Sequence, residues 1–360
     1  MSVWDWVDDY ERDAYTSGDP QRIEIVQRFH EGMRYFETDA ARTLSLLKKG
    51  REVAQQLNDG WWMLLFDHWT LQLLLHQQRD YTTALDLAVK TAVEARKPVY
   101  GNLPQRICLH EDLIAAYIGI DAAGHEQAIR ESLDYMATQI SPTLECRYCL
   151  QGWRCEFELV RERWEEAESE GNRYLALSES DDEPHYRSSA RAYLCELAYH
   201  KGDWTAMLDL VKEGQVYAQR ADRKQKRIDF MAWEALALRK LGSEDSAGTI
   251  YRTALAQMSR LDVVPSESYY KALTAYHEAN GDFADALKLQ DDHLGHLTGK
   301  GQIGLECEVR LWRLRLMGRL GMPLADELDA ARQAANKLIN PAPILAKIDR
   351  ITAGEYGEDH

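Results

Sequence analysis

Apolar side chains recur every three or four residues along most of the chain, which is the spacing of one face of an α-helix. Three such stripes are Leu150, Trp153 and Phe157; Phe230, Trp233 and Ala237; and Val309, Trp312 and Leu316. Alternating apolar and polar runs bounded by turns do not occur, and β-branched residues are thinly spread. The pattern predicts an all-α protein whose large aromatic side chains lie on buried helix faces.

A short junction between two helices is repeated along the chain. In HKGDWTAMLDL (200–210), Gly202 is suited to end one helix in the left-handed conformation, and Asp203 is suited to cap the next. GDFADAL at 281–287 is a second copy, and looser copies are RDYTTAL, GHEQAIR, ERWEEAE, GSEDSAG and GMPLADEL. The seven junctions begin at 79, 124, 162, 202, 242, 281 and 321, so the intervals are 45, 38, 40, 40, 39 and 40 residues. Such regular spacing predicts repeated units of two helices each.

The junctions resemble those of the tetratricopeptide repeat (TPR) family and its longer relatives. The resemblance rests on Gly-Asp-aromatic-x-x-[Ala/Met]-Leu at 202–208 and 281–287, with Leu194 and Leu273 eight residues before each junction glycine. The period near 40 departs from the roughly 34 residues of that family, and the proline that ends each unit is mostly absent. The resemblance covers most of the chain and implies a binding protein with a concave channel.

We therefore expect an α-solenoid, a right-handed superhelix of about eight antiparallel helix pairs with a period of about 40 residues. Residues 1–19 are predicted as an N-terminal capping segment, 20–340 as the repeat domain, and 341–360 as a C-terminal capping helix and tail. The acidic ends of the chain fit polar caps.

The chain is acidic, with 43 Lys and Arg against 59 Asp and Glu and a formal net charge of −16. That charge disfavours nucleic acid and anionic membrane surfaces as partners. No apolar stretch approaches the ~18 residues of a spanning helix, and the acidic N-terminus is unlike a signal peptide, so a cytoplasmic location is expected.

The six cysteines are predicted to be reduced thiols. The spacing of Cys146, Cys149 and Cys155 is not that of a zinc site, so no metal and no cofactor are expected.

Arginines occupy one repeat position, fifteen residues before three of the junctions. They are Arg147, Arg187 and Arg227, with Arg191 one helical turn beyond the second. Because they stand about 240° around the helix from the apolar stripe, we expect them to be exposed side by side. Two interpretations remain open. The arginines hold a carboxylate or an acidic peptide through forked hydrogen bonds, or they pair with acidic neighbours such as SESDDE at 178–183.

The segment GWWMLLFDHW at 60–69 contains three tryptophans that cannot all point to one side of a helix. We expect most of this segment to be core and one residue to face a neighbouring unit or a partner. Trp62 is the candidate contact residue.

No phosphate-binding loop, metalloprotease motif or nucleophile elbow occurs in the sequence, so a non-catalytic function is expected. The predicted function is a scaffold or adaptor that binds another protein or peptide in the concave face, with homo-oligomer formation left open. The alternative is a ligand- or peptide-sensing regulatory module of a bacterial-type signalling system.

Overall fold

The computed structural model describes residues 3–36, 38–103, 105–141, 145–261 and 263–355. Within these residues it contains α-helices and no β-strand, which confirms the all-α prediction. The α-helices are α1 (Val3–Ser17), α2 (Pro20–Tyr35), α3 (Ala40–Gln56), α4 (Gly60–Gln72), α5 (Tyr81–Ala95), α6 (Arg106–Asp121), α7 (Glu126–Gln139), α8 (Cys146–Val160), α9 (Trp164–Ser180), α10 (Pro184–Lys201), α11 (Trp204–Arg220), α12 (Lys224–Lys240), α13 (Glu244–Met258), α14 (Glu267–Asn280), α15 (Phe283–Leu297), α16 (Ile303–Arg319), α17 (Ala325–Ala335) and α18 (Ala342–Thr352). A π-helical turn, Leu73–Gln78, continues α4, and a 3₁₀ turn covers Pro98–Tyr100.

The predicted junctions coincide with helix ends. Six of the seven first residues have a left-handed backbone, and they are Arg79, Glu162, Gly202, Gly242, Gly281 and Gly321. Gly202 has φ +66°, and its N–H caps α10 by donating to backbone carbonyls of that helix. The Asp203 carboxylate then accepts the backbone N–H of Ala206 at 3.0 Å and caps α11, as predicted.

Neighbouring helices pack against each other in chain order. Helix α10 contacts α9 and α11, whereas α12 contacts α11, α13 and α14. This arrangement agrees with a helical repeat. Helices α1 and α18 occupy the segments predicted as end pieces.

The contacts divide the chain into two compact units, a division that the regular spacing did not predict. Unit 1 comprises Met1–Ile120, His125–Leu150 and Lys300–Gln302. Unit 2 comprises Asp121–Gly124, Gln151–Gly299 and Ile303–His360.

One hydrophobic cluster of unit 2 extends through α10–α14, from Cys195 to Tyr276. Phe230 and Trp233 of α12 are 1% and 2% exposed, which confirms that the aromatic stripe of this helix is buried. Gly214 of α11 faces the Phe230 ring so closely that an added Cβ would lie 2.3 Å from its Cζ atom. A glycine at this position therefore lets α11 and α12 approach across the ring.

Among the described residues, no helix has both the length and the apolar character needed to cross a bilayer.

Candidate functional site

Charged and hydroxyl side chains meet on the first helices of four successive pairs in unit 2. We call this set the central cluster, and its members are Glu156 of α8, Tyr193 and Glu196 of α10, Lys226 of α12, and Lys271 of α14. All five are partly buried. Glu156 and Glu196 occupy the same repeat position, because each stands six residues before a junction.

Glu196 and Lys271 form an ion pair that links α10 to α14. The Lys271 ammonium donates to the Glu196 carboxylate, and the two side chains are 19% and 22% exposed respectively. Burial disfavours the charged form of each group, but the attraction is stronger, so the pKa of Glu196 is lowered and that of Lys271 is raised. The Glu267 carboxylate lies 3.8 Å from the same ammonium. The pair is therefore ionised, and it joins residues separated by 75 positions in the sequence.

Glu156 and Tyr193 form a second contact within the cluster. The Tyr193 hydroxyl donates to Glu156 Oε2 at 2.8 Å. Burial raises the pKa of Glu156 to about 7, and Glu267 and Glu196 add to the effect, whereas Tyr193 and Lys226 oppose it. The protonation state of this carboxyl therefore changes near neutral pH.

Lys226 of α12 is the second lysine of the central cluster. Its ammonium donates to the Ser189 hydroxyl at 3.0 Å, and burial lowers its pKa although Asp229 and Glu156 act in the opposite direction. Asp229 itself accepts a hydrogen bond from the Ser266 hydroxyl at 2.7 Å. The ammonium has three donors, so it can make further hydrogen bonds beyond the one to Ser189.

The central cluster thus offers charges of both signs and hydroxyl groups in a partly dehydrated setting. Such groups can hold the polar atoms of a peptide or of a small ligand, because charge-assisted hydrogen bonds are stronger where water is scarce. The nearby thiols of Cys155 and Cys195 are fully buried, and burial raises the pKa of both. These two thiols therefore do not serve as nucleophiles.

The predicted arginines are not the exposed row that the sequence suggested. Arg187 donates to the carbonyls of Ser178 and Glu179 at the end of α9, at 3.2 and 2.9 Å, and pairs with Asp182 at 3.2 Å. The Arg191 side chain is only 4% exposed. Arg187 thus uses its donors on the SESDDE segment, as the second interpretation expected.

The other three arginines also contact neighbouring side chains. Arg191 pairs with Glu179 at 2.9 Å and with Glu213 at 2.7 Å. Arg227 donates to Gln257 Oε1 at 3.0 Å, and Arg147, which belongs to unit 1, donates to the Tyr148 hydroxyl at 3.1 Å. Residue positions alone did not predict these contacts, because a long arginine side chain can reach a residue of its own helix or of the helix before or after it.

Trp62 lies in the core of unit 1, which corrects the expectation that it contacts a partner. Its exposed fraction is 0%, and its ring centroid lies 5.1 Å from those of Trp6 and Tyr10 and 5.6 Å from that of Phe29. The aromatic side chains of α1 and α2 cover it. The sequence showed that three tryptophans could not share one helix face, but it did not show which helices would enclose them.

The central cluster itself was not predicted. One signal was present, since Glu156 and Glu196 are 40 residues apart and so share a repeat position. Lys271 has no such signal because its partner is nearly two repeats away. Among the described residues, no group of three or more His, Cys, Asp or Glu side chains is arranged to hold a metal ion.

Comparison with protein-family models and with curated proteins finds no match to this chain.

Proposed function

We propose that the helix pairs form a TPR-like right-handed solenoid that works as a non-catalytic scaffold or adaptor. The first helices of the pairs present the central cluster to a partner polypeptide. The all-helical structure and the packing of helices in chain order support this proposal. The net charge of −16 favours a polypeptide over a nucleic acid as the partner.

One observation carries the proposal. The Glu196–Lys271 ion pair is ionised, partly accessible and built from first helices of different pairs. An ion pair placed only for stability is often replaceable by well-packed apolar residues. A charged pair that joins two first helices, α10 and α14, and keeps contact with solvent is suited to exchange hydrogen bonds with a bound chain.

A selection experiment tests the proposal. A random peptide display library is panned against the immobilised full chain, and a selected peptide is titrated by fluorescence polarisation. The double variant Glu196→Gln/Lys271→Met removes both charges together, so neither partner is left buried and unpaired. Lys212→Ala, at an exposed position of α11, is the matched control.

We expect the double variant to weaken peptide binding by about tenfold or more, which corresponds to about 1.4 kcal/mol, and the control to leave it unchanged. Enrichment of no peptide sequence would refute the proposal. Equal affinity for the native chain and the double variant would also refute it.

A second candidate function, a ligand- or peptide-sensing regulatory module, is favoured by contacts between the two ends of unit 2. Asp121 Oδ2 accepts the backbone N–H of Ile339 at 2.7 Å and that of Asn340 at 3.3 Å. Lys347 of α18 pairs with Glu162 and lies 3.5 Å from Glu308. These few polar contacts join distant parts of the chain, and a ligand that changes them would change the arrangement of the helices.

Hydrogen exchange separates the two candidates. Binding of the selected peptide to a sensor changes the exchange rates of the Ile339 and Asn340 amides, whereas binding to a rigid scaffold leaves them unchanged.

A further inference from the structure

Lys226 of α12 forms no ion pair with any carboxylate of the described residues, although it belongs to the central cluster. Its ammonium donates a hydrogen bond to the Ser189 hydroxyl of α10 at 3.0 Å. Two other partly exposed lysines of unit 2, Lys271 and Lys347, each lie within ion-pair distance of two carboxylates. A charge that is partly removed from water is costly unless other groups replace its hydration. Lys226 has a hydroxyl where the other two lysines have carboxylates.

The next repeat supplies a carboxylate at the position of Ser189. Asp229 follows Ser189 by 40 residues, and each stands thirteen positions before a junction. The Asp229 carboxylate accepts a hydrogen bond from the Ser266 hydroxyl of α14 at 2.7 Å. Both this contact and the contact of Ser189 with Lys226 join successive first helices and span 37 positions. One repeat position therefore has a carboxylate facing a hydroxyl in one pair of helices, and a hydroxyl facing a lysine in the other.

The side chains of Lys226 and Ser189 can both donate to an anion. The ammonium has three N–H groups and directs one of them to Ser189. The Ser189 oxygen is the acceptor in that contact, so its own O–H remains a donor. Both residues are partly exposed. Burial lowers the pKa of Lys226, and a carboxylate beside it would favour the charged ammonium.

We propose that Lys226 and Ser189 bind a carboxylate of the partner polypeptide. The carboxylate accepts a charge-assisted hydrogen bond from the ammonium and a second hydrogen bond from the serine hydroxyl. It supplies between α10 and α12 the negative charge that Asp229 supplies between α12 and α14. The inference rests on the proposed function, because it names the group that the central cluster recognises on a bound polypeptide.

A double-mutant cycle between the protein and a selected peptide tests the inference. Each Asp and Glu of the peptide is replaced in turn by Asn or Gln, and a separate peptide ends in a carboxamide, so side-chain and terminal carboxylates are distinguished. We expect one of these changes to weaken binding to the native full chain by about tenfold or more. The same change should have little effect on binding to Lys226→Met. Lys224→Met, at an exposed position of the same helix, is the matched control and should bind like the native chain.

The variants Ser189→Asp and Ser189→Asn separate the effect of charge from that of shape. The aspartate gives Lys226 a carboxylate from its own chain, which competes with that of the peptide. We therefore expect the peptide to bind about tenfold or more weakly to Ser189→Asp than to Ser189→Asn. Thermal unfolding should give the higher Tm for Ser189→Asp, because the ammonium then has a charged partner.

The possible outcomes distinguish this inference from the proposed function. A peptide that binds equally well after every carboxylate replacement would overturn the inference and leave the proposed function intact. Equal affinity of the peptide for the two Ser189 variants would also overturn the inference, and this comparison decides the question even if Lys226→Met fails to fold. Enrichment of no peptide would refute the proposed function and the inference with it.

Discussion

The carboxyl of Glu156 should make the stability of the protein depend on pH, and Glu156→Gln should remove that dependence. Burial raises the pKa of this group from its ordinary value of 4.5 to about 7. The folded state therefore prefers the protonated carboxyl. Glutamine has nearly the same shape, and its amide oxygen can still accept the Tyr193 hydroxyl, so the substitution removes the charge and keeps the hydrogen bond.

The size of this pH effect on stability follows from the change in the pKa of Glu156. The protonated form is available to both states below pH 4.5, so the native chain and the variant should be equally stable there. As the pH rises from 4.5 to 7, the unfolded chain ionises first, and the native protein loses stability. The upper limit of this loss is about 3 kcal/mol at 1.36 kcal/mol per pKa unit, and partial exposure of Glu156 reduces it to about 1–3 kcal/mol.

Thermal unfolding followed by circular dichroism at pH 5 and at pH 8 measures the difference. We expect Glu156→Gln to raise Tm at pH 8 by about 3–10 °C and to change it little at pH 5. Tyr193→Phe should lower Tm at pH 8, because it removes a donor to the ionised carboxyl. Glu166→Gln, at an exposed position of α9, is the control and should show no pH-dependent change. A Tm difference between Glu156→Gln and the native chain that is the same at both pH values would refute the reasoning.

Three further predictions concern packing, the ion pair and the ends of unit 2. Gly214→Ala should lower the free energy of unfolding by about 1–3 kcal/mol in chemical denaturation, because the new Cβ would lie 2.3 Å from a buried phenylalanine ring. The control Gly295→Ala has open space at its Cβ and should be neutral or stabilising. Lys271→Met should cost about 2 kcal/mol by leaving Glu196 unpaired, and adding Glu196→Gln should recover most of that loss; a double-mutant cycle without coupling would contradict this. Asp121→Ala should cost about 2–4 kcal/mol, because the 3% exposed carboxylate accepts three backbone N–H groups, and an unchanged urea midpoint would contradict this.

The sequence predicted the helices and their order because both depend on local signals. Apolar spacing located the buried faces, and the junction at Gly202 and Asp203 has the expected left-handed end and side-chain cap. These features need only residues within one or two helical turns of each other. Helices α1 and α18 lie within residues 1–19 and 341–360, for which the sequence predicted capping segments.

The site could not be predicted in the same way, because its contacts join distant residues. Arg187 was expected to be exposed, but its side chain reaches the carbonyls that end α9. Trp62 was a candidate for partner contact, but α1 folds over it. Both residues lie in helices, as predicted. The contacts that each side chain makes with a neighbouring helix then determine how exposed it is.

Repeat position nevertheless contains part of the information about the site. Glu156 and Glu196 stand at equal places in successive pairs, yet burial raises the pKa of Glu156, whereas Lys271 lowers the pKa of Glu196 despite its burial. The difference arises from Lys271, which belongs to a helix pair further along the chain. Equivalent repeat positions therefore carry different charges near neutral pH, and a bound polypeptide would contact a pattern of charge that differs from one end of the first helices to the other.

A ligand recognised by this pattern should bind in one orientation, so a selected peptide and its reversed sequence should differ in affinity for the native chain. They should differ less for Glu156→Gln at pH 8, where the charge on that helix is absent.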